Sequence, residues 1–376
     1  MNVTPADFRS VYVHIPFCAR VCPYCDFAVV AGRDEVTERY LSALRREIHQ
    51  SADWGPLHAV FVGGGTPSRV PGIVDVVVDL IGRFGVEGDC EITLEANPED
   101  WTPDLARTLV AAGFTRVSFG AQSLDDEVLA SLGRRHEAAA VGRAVTEARA
   151  AGFRSISVDC IFGTPGESLE SWRTTIEGVV SMQVDHVSTY ALTVEPPTPL
   201  GRAVRRGAPA PDPDDQADKW ELAVEILAAA GFERYEVSNH ALPGHRCKYN
   251  LGVWYQGEYL GFGLGAHGFR DGVRTRNVRR LDTYLERVES GVGPVQASDN
   301  IAGWSAEQER LMLGLRLASG VEAGPAGRAL LQTPDGRRLT DAGVLTLEND
   351  TLRVSRPLLT DEAIRALLAV ADPGLL

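Results

Sequence analysis

The chain has no long apolar run, no surplus of positive charge and no second group of clustered cysteines, and each absence narrows what it does. Nothing in its 376 residues approaches the roughly 20 consecutive apolar residues that span a bilayer. The opening stretch MNVTPADFRSVYVHIP is interrupted by polar residues too early to hold a secretory apolar core. The expected location is therefore cytoplasmic, with peripheral membrane contact left open. Lys and Arg number 37 against 51 Asp and Glu, a formal net charge of −14 that repels nucleic acid and anionic lipid alike. No nucleic-acid partner is expected. Low-complexity segments are missing too, and nothing repeats beyond an alternation of strands and helices. What remains is ordinary globular composition, 44% apolar and 23% charged, with room for one large domain and one or two smaller ones.

The six cysteines are unevenly placed. Cys18, Cys22 and Cys25 fall within eight residues, whereas Cys90, Cys160 and Cys247 stand apart. A reducing compartment disfavours disulfides, so the tight group reads as metal-binding or catalytic. Cys90 and Cys160 read as small buried apolar residues, while Cys247 stands between His245 and Tyr249, side chains with ligand chemistry of their own.

Six β-branched runs alternate with amphipathic stretches over the first 200 residues: 11–15, 58–64, 91–97, 116–123, 155–163 and 186–194. Helices are predicted between them, among them 35–50, 104–113 and 138–152, with Gly113 and Gly152 in capping positions. Such a series builds a parallel α/β sheet, curled into a barrel or laid out doubly wound, with functional groups at the C-terminal ends of the strands. The Pro-rich stretch 195–215 reads as a connection leaving the core. A helix with Trp220 and Leu222 in its apolar stripe, a strand over 233–242 and a Gly-rich aromatic region follow. A helix over 305–319 leads to a helix and hairpin turning at Asn349–Asp350, the pattern of a small α+β winged-helix-like module in which DNA binding is the weaker reading. The predicted division is 1–200, 201–300 and 301–376.

The cysteines have the spacing C-x3-C-x2-C in the loop after the first strand. Three thiolates can hold three irons of a cubane and leave the fourth without a protein ligand. Structural zinc asks for four protein ligands in closely spaced pairs. His14 is a conceivable fourth, but it lies within the strand and no second pair follows.

This spacing resembles the radical S-adenosylmethionine (SAM) superfamily. The words YVHIPFC, GGGTPS, EANPE, SFGAQS, LGRRH, DCIFGTPGES and YLGFGLGAHG, in that order, resemble its oxygen-independent coproporphyrinogen oxidase branch, and most closely the heme-chaperone members of that branch. The resemblance implies a partial (β/α)6 TIM-like barrel, a [4Fe–4S] cluster on Cys18, Cys22 and Cys25, SAM on the open iron, and heme as cargo for heme-accepting proteins. It implies Tyr12 and Tyr24 beside SAM, and Gly64, Gly65 and Thr66 giving the backbone a close approach that a β-carbon would block. Glu95 would accept hydrogen bonds from the ribose or amino group. Gln122, Arg134 and Asp159 would line the deeper barrel, with Ala191 behind.

Each of these residues also has a plainer reading. Glu95 and Asp159 suit helix caps, Gln122 a satisfied polar core, Arg134 the surface beside Arg135, and GGGTPS a turn with Pro67 opening a helix. The G-x-G-x-x-G of residues 263–268 is followed by FRDGVRTRN rather than a helix pattern, so it fails as a dinucleotide site.

The choice between oxidase and chaperone turns on three departures. The oxidase carries a further Cys where Phe27 stands, and an N-terminal extension before its first strand; both differences favour the chaperone. Against it, family chaperones have a His-Asn pair followed by Tyr-Trp, whereas this chain reads HRCKYNLGVW with Tyr249 in the place of the His. Imidazole, tyrosinate and thiolate all ligate heme iron, so His245, Cys247 and Tyr249 are all candidates, as is a purely packing role for these aromatics. His240 and His267 read as satisfied polar residues. A radical SAM reaction on another substrate is the third possibility.

Overall fold

The structure, a computed structural model, describes residues 7–372. Residues 1–6, where the N-terminal reading begins, and 373–376 lie outside them.

Six strands, β1 Arg9–Ile15, β2 Leu57–Gly64, β3 Val86–Ala96, β4 Arg116–Gln122, β5 Ser155–Phe162 and β6 His186–Ala191, lie side by side in sequence order. Every neighbouring pair is parallel. The crossovers are helices: α1 Thr37–Gln50, α2 Ile73–Phe84, α3 Pro103–Ala111, α4 Asp126–Ser131, α5 Ala138–Ala151 and α6 Leu169–Ser181. Gly152 ends α5 in the left-handed conformation, φ 101°. The result is a partial (β/α)6 barrel.

Strand periodicity explains what each face carries. One residue set, including Val11, Val13, Val60, Val62, Leu94 and Val117, is fully buried in a single core with the helices. Each such side chain contributes roughly 1.5–3 kcal/mol on leaving water. The alternate set points to the other side of the sheet. On β3 to β6 it is polar: Thr93 and Glu95 on β3, Arg116 and Ser118 on β4, Ser157 and Asp159 on β5, His186 and Ser188 on β6. The lumen is therefore lined for chemistry rather than packed shut.

The sheet continues beyond the barrel to twelve strands. Past β6, the segment expected as one strand over 233–242 is instead a hairpin, β7 Glu233–Arg234 and β8 Asn239–Ala241, with β8 antiparallel to β6. The break comes where the Glu236 carboxylate accepts the Ser238 N–H at 3.0 Å. Past β1, the Gly-rich aromatic region supplies β9 Glu258–Phe262, parallel to β1, then β10 His267–Arg270, β11 Val273–Asn277 and β12 Val295–Asn300.

The Pro-rich connection is more ordered than expected. It holds α7 Pro199–Arg205, capped by Thr198, and leads into α8 Pro213–Ala229, capped by Asp212. The buried stripe of α8 is Lys219, Leu222, Ala223 and Leu227, with Trp220 only partly buried. A short α9, Lys248–Trp254, and α10, Leu281–Glu289, follow.

The C-terminal segment comprises α11 Gly303–Gly314, α12 Gly324–Gln332, α13 Pro334–Asp341 and α14 Thr360–Leu368 around a three-stranded antiparallel sheet. It has a core of its own that includes Leu311, Leu330, Leu345 and Leu352. Its hairpin turns at Asn349 and Asp350, φ 48° and 66°, the positive pair that a two-residue turn of the right twist requires.

Candidate functional site

The cysteine loop begins where β1 ends and is held by the next strand end. Gly65 donates its N–H to Ile15 O at 2.8 Å and Thr66 its N–H to Phe17 O at 2.9 Å. Inside the loop, Val30 N–H reaches Pro16 O at 2.7 Å and Cys25 N–H reaches Cys22 O at 3.1 Å. The GGGT segment is thus a strap across the base of the loop. Gly64 and Gly65 are needed for that strap. A Cβ on Gly64, φ 120°, would lie 2.6 Å from the His14 ring, and one on Gly65 would lie 2.7 Å from Pro16 O. A Cβ at either position collides with the chain's own first strand and loop, and both glycines also line the cavity described below.

A run of polar contacts then links two of the cysteines. Thr66 Oγ1 lies 3.6 Å from Cys18 Sγ and accepts from Asn97 Nδ2 at 3.2 Å. Asn97 Oδ1 accepts from Arg134 Nη2 at 2.6 Å, and Arg134 Nη1 lies 3.9 Å from Cys22 Sγ. Arg134 also donates to Gly120 O at 2.8 Å. It is turned inward while Arg135 is exposed. Its buried Nε has no protein partner, a donor left for a ligand to satisfy.

All six cysteines are free thiols, with Cys90 and Cys160 buried as expected. Burial raises the Cys18 and Cys25 pKa values, Cys25 to about 11. Thiolate at neutral pH therefore needs a cation to displace the proton. Among the described residues no three His, Cys, Asp or Glu side chains gather tightly enough for one metal ion. A cubane asks for something different, since each thiolate holds its own iron. His14 is not free for coordination: Nε2 meets Ala28 O at 2.9 Å and Nδ1 meets the Tyr12 hydroxyl at 3.1 Å.

The three cysteines open onto a cavity of about 440 Å³ at the C-terminal ends of the strands. Tyr24, Gly64, Gly65, Thr66 and Glu95 line it, and so do Gln122, Arg134, Asp159 and Ala191. Tyr12 is the exception. It is absent from the lining, and its ring stacks on Phe61 at 6.2 Å within the barrel.

Neither Glu95 nor Asp159 caps a helix. Glu95 accepts the Gly64 N–H at 2.9 Å, and burial raises its pKa to about 7. Asp159 accepts from Ser118 Oγ at 2.9 Å, and burial raises its pKa as well. Gln122 is not a regular core residue. It sits at φ 68° where β4 slips register against β5. Pro67 does open a helix, a short 3-10 turn.

Three residues that matter here were not singled out in the sequence. Asn97 bridges Thr66 and Arg134, Ser118 holds Asp159, and Tyr190 lines the cavity with 42% of its surface exposed. Asn97 and Ser118 sit inside the EANPE and SFGAQS words, so a strand-end polar residue was the available signal.

The heme candidates lie elsewhere. Arg116, Ser155 and His186 are the first residues of β4, β5 and β6, at the opposite end of the barrel. There Arg116, 2% exposed, donates to Ser155 Oγ at 2.8 Å and to the His245 carbonyl at 2.9 Å. The Cys247 N–H meets the Tyr235 hydroxyl at 3.4 Å, which meets His186 Nε2 at 2.9 Å, and Lys248 N–H reaches Glu91 at 2.8 Å. Tyr249 packs 5.1 Å from Phe61, ring to ring. The HRCKYN segment is a plug. Burial pushes the Cys247 thiol and the Tyr249 phenol up, against the anionic forms that would bind iron. His245 is half-exposed, 4.0 Å from Asp185. The segment 263–268 turns directly into β10, with no helix after it.

The sequence matches the Radical SAM superfamily over residues 12–179. It is 40% identical over 380 residues to heme chaperone HemW of Mycobacterium tuberculosis, covering 97% of this chain and 96% of that one. With heme chaperone HemW of Bacillus subtilis the identity is 34% over 320 residues, 83% of this chain and 84% of that one. Coproporphyrinogen III oxidase (HemN) from Escherichia coli, a radical SAM enzyme, superposes with a TM-score of 0.84 at 22% identity, covering 98% of this chain and 91% of that one, which shows a common fold. The chain belongs to the HemW family of the radical SAM superfamily.

Proposed function

We propose that this protein binds heme and delivers it to heme-accepting proteins, with a [4Fe–4S] cluster and SAM resident in its barrel. Superfamily membership implies the cluster and SAM. In this reading Cys18, Cys22 and Cys25 hold three irons and SAM binds the fourth. When bound, the cluster supplies an electron and an open iron to SAM.

The donor set suits that pair. Glu95 has one oxygen beyond its Gly64 bond to accept from a ribose hydroxyl or an ammonium. The unpartnered Arg134 Nε is a donor toward a carboxylate. Tyr24 offers a ring at the cluster, Gly64, Gly65 and Thr66 form the near wall, and Gln122, Asp159 and Ala191 form the deeper one. We assign the barrel to residues 1–200, a closing extension to 201–300 and a winged-helix-like module to 301–376. We place the protein in the cytoplasm; among the described residues no helix is long and apolar enough to cross a membrane.

The observation that carries the choice of cargo delivery is the likeness to named heme chaperones over 97% of the chain. A saturable Soret band on titrating hemin into the anaerobically purified protein is the expected result, and its absence overturns the reading. Coproporphyrinogen oxidation is the second reading, favoured by the polar lumen. Incubation with dithionite, SAM and coproporphyrinogen separates the two: efficient protoporphyrinogen formation selects the oxidase.

A further inference from the structure

We infer that heme docks on the rim of the cluster cavity, with His267 as an axial ligand of its iron and Arg276 and Arg279 holding its propionates. The inference rests on the heme-binding reading above and gives that reading a location away from the 245–249 plug.

His267 opens β10 and is exposed. No protein group takes either of its ring nitrogens among the described residues. Directly across the ladder stands Arg276, also exposed. Side chains paired this way share a face, with Cβ atoms about 5 Å apart. Arg279 follows β11 and donates from Nη2 to Asp26 O at 2.9 Å, which ties this corner of the sheet to the cysteine loop. The next loop residue, Phe27, is 63% exposed and lines the cavity rim.

Charge decides what suits this corner. Arg274, on the same strand, is taken by Glu309 at 2.9 Å. The guanidiniums of Arg276 and Arg279 have no carboxylate partner among the described residues. In a chain of net charge −14, two such cations beside an open imidazole and an exposed phenyl ring form an unusual surface. Heme matches it group for group, with two carboxylates for the arginines, a flat apolar macrocycle for Phe27 and an iron that accepts a neutral imidazole. Partial burial and then the nearby arginines lower the His267 pKa, which keeps the ring in the form that has a lone pair to give. In the plug, by contrast, the Cys247 thiol is only 2% exposed.

Hemin titrations of the full-length, cluster-loaded protein test this, comparing wild type with His267→Ala, Tyr249→Phe and the pair Arg276→Glu/Arg279→Glu. Wild type and Tyr249→Phe should show the same saturable Soret band with an imidazole-ligated low-spin signature. His267→Ala should lose that signature and regain it with added imidazole, a rescue that a merely structural role would not show. Charge reversal at the arginine pair should weaken binding about tenfold or more, and added salt should narrow the difference from wild type by screening both the attraction and the repulsion. Iron and sulfide content should be unchanged in His267→Ala and Tyr249→Phe, and binding by the arginine pair is compared at equal cluster content. If wild type binds hemin and His267→Ala binds it with the same spectrum, or if Tyr249→Phe alone abolishes ligation, the inference fails while the heme reading stands. If wild type binds no hemin, the heme reading itself fails and takes the inference with it.

Discussion

Arg116→Met is the sharpest test of the plug at the N-terminal end of the barrel. The guanidinium is 2% exposed and makes hydrogen bonds to Ser155 and the His245 carbonyl, with Glu91 at 4.0 Å. Removing one partner of a buried ion pair costs about 3–5 kcal/mol, because the other charge is left in a poor solvent. Glu91 keeps the Lys248 N–H at 2.8 Å, and its contact with Arg116 is long, so the loss belongs at the lower end, about 3 kcal/mol. That is about 150-fold in the equilibrium that opens the plug. The Cys247 thiol lies behind it, 2% exposed. Its labelling by a thiol reagent, read by peptide mass spectrometry, should accelerate by a comparable factor when opening is fast relative to reaction. Adding Glu91→Gln should recover part of the loss. A labelling rate within about threefold of wild type, with an unchanged urea midpoint, would mean the segment is not a closed plug, and the case against heme ligation there would collapse.

Three further outcomes follow from the geometry. Alanine at Cys18, Cys22 or Cys25 should abolish the visible absorbance and iron content of anaerobically reconstituted protein, whereas Cys90→Ala and Cys160→Ala should retain both. Gly65→Ala should cost about 2 kcal/mol or more in urea midpoint, since the new methyl group would lie 2.7 Å from Pro16 O, and it should slow cluster incorporation by disturbing the strap. Glu47 accepts from Tyr284 at 2.7 Å and from Asn277 and Gly263 at 2.9 Å, yet burial raises its pKa from 4.5 to about 7. The folded state then binds this proton more tightly than the unfolded state, so Glu47 subtracts stability as pH rises from about 4.5 through 7. Glu47→Gln should flatten that fall, and urea midpoints at pH 5 and 8 that change equally in variant and wild type would refute the assignment.

How much of the molecule was legible in its sequence depended on whether the signal was local. The barrel strands were readable because β-branched runs alternate with polar residues at period two, and the structure puts the apolar set against helices and the polar set in the lumen. The hairpin at Asn349–Asp350 was equally local. The plug was not. Its polar partners, Glu91, Arg116, Tyr235 and His186, are scattered along the chain and meet only once the sheet has formed. The contact of the Tyr12 ring with Phe61 was equally hidden, because it joins neighbouring strands that are far apart in sequence. The roles of Gly64 and Gly65 illustrate a subtler limit. A glycine pair announces close approach, but it does not say that the chain's own loop is one of the groups that approaches.

The two ends of the barrel explain why a partial motif at 245–254 need not mark the cargo site. At the N-terminal end the backbone of the plug is held at three points, the His245 carbonyl by Arg116, the Cys247 N–H by Tyr235 and the Lys248 N–H by Glu91, and such a buried polar network is rigid. At the C-terminal end the reverse holds: Arg134 Nε, the second oxygen of Glu95, the open His267 ring and two unpaired arginines all await partners. Polar groups that a fold leaves unsatisfied are costly unless water or a ligand completes them. The Glu95 carboxylate, the Arg134 guanidinium and the Phe27 ring line the cavity, and the inferred heme corner adjoins it through the bond from Arg279 to Asp26 O. A small zwitterion fits the first set and a large flat dianion fits the second. On the heme inference, both ligands can then be held near one mouth without competing for the same side chains.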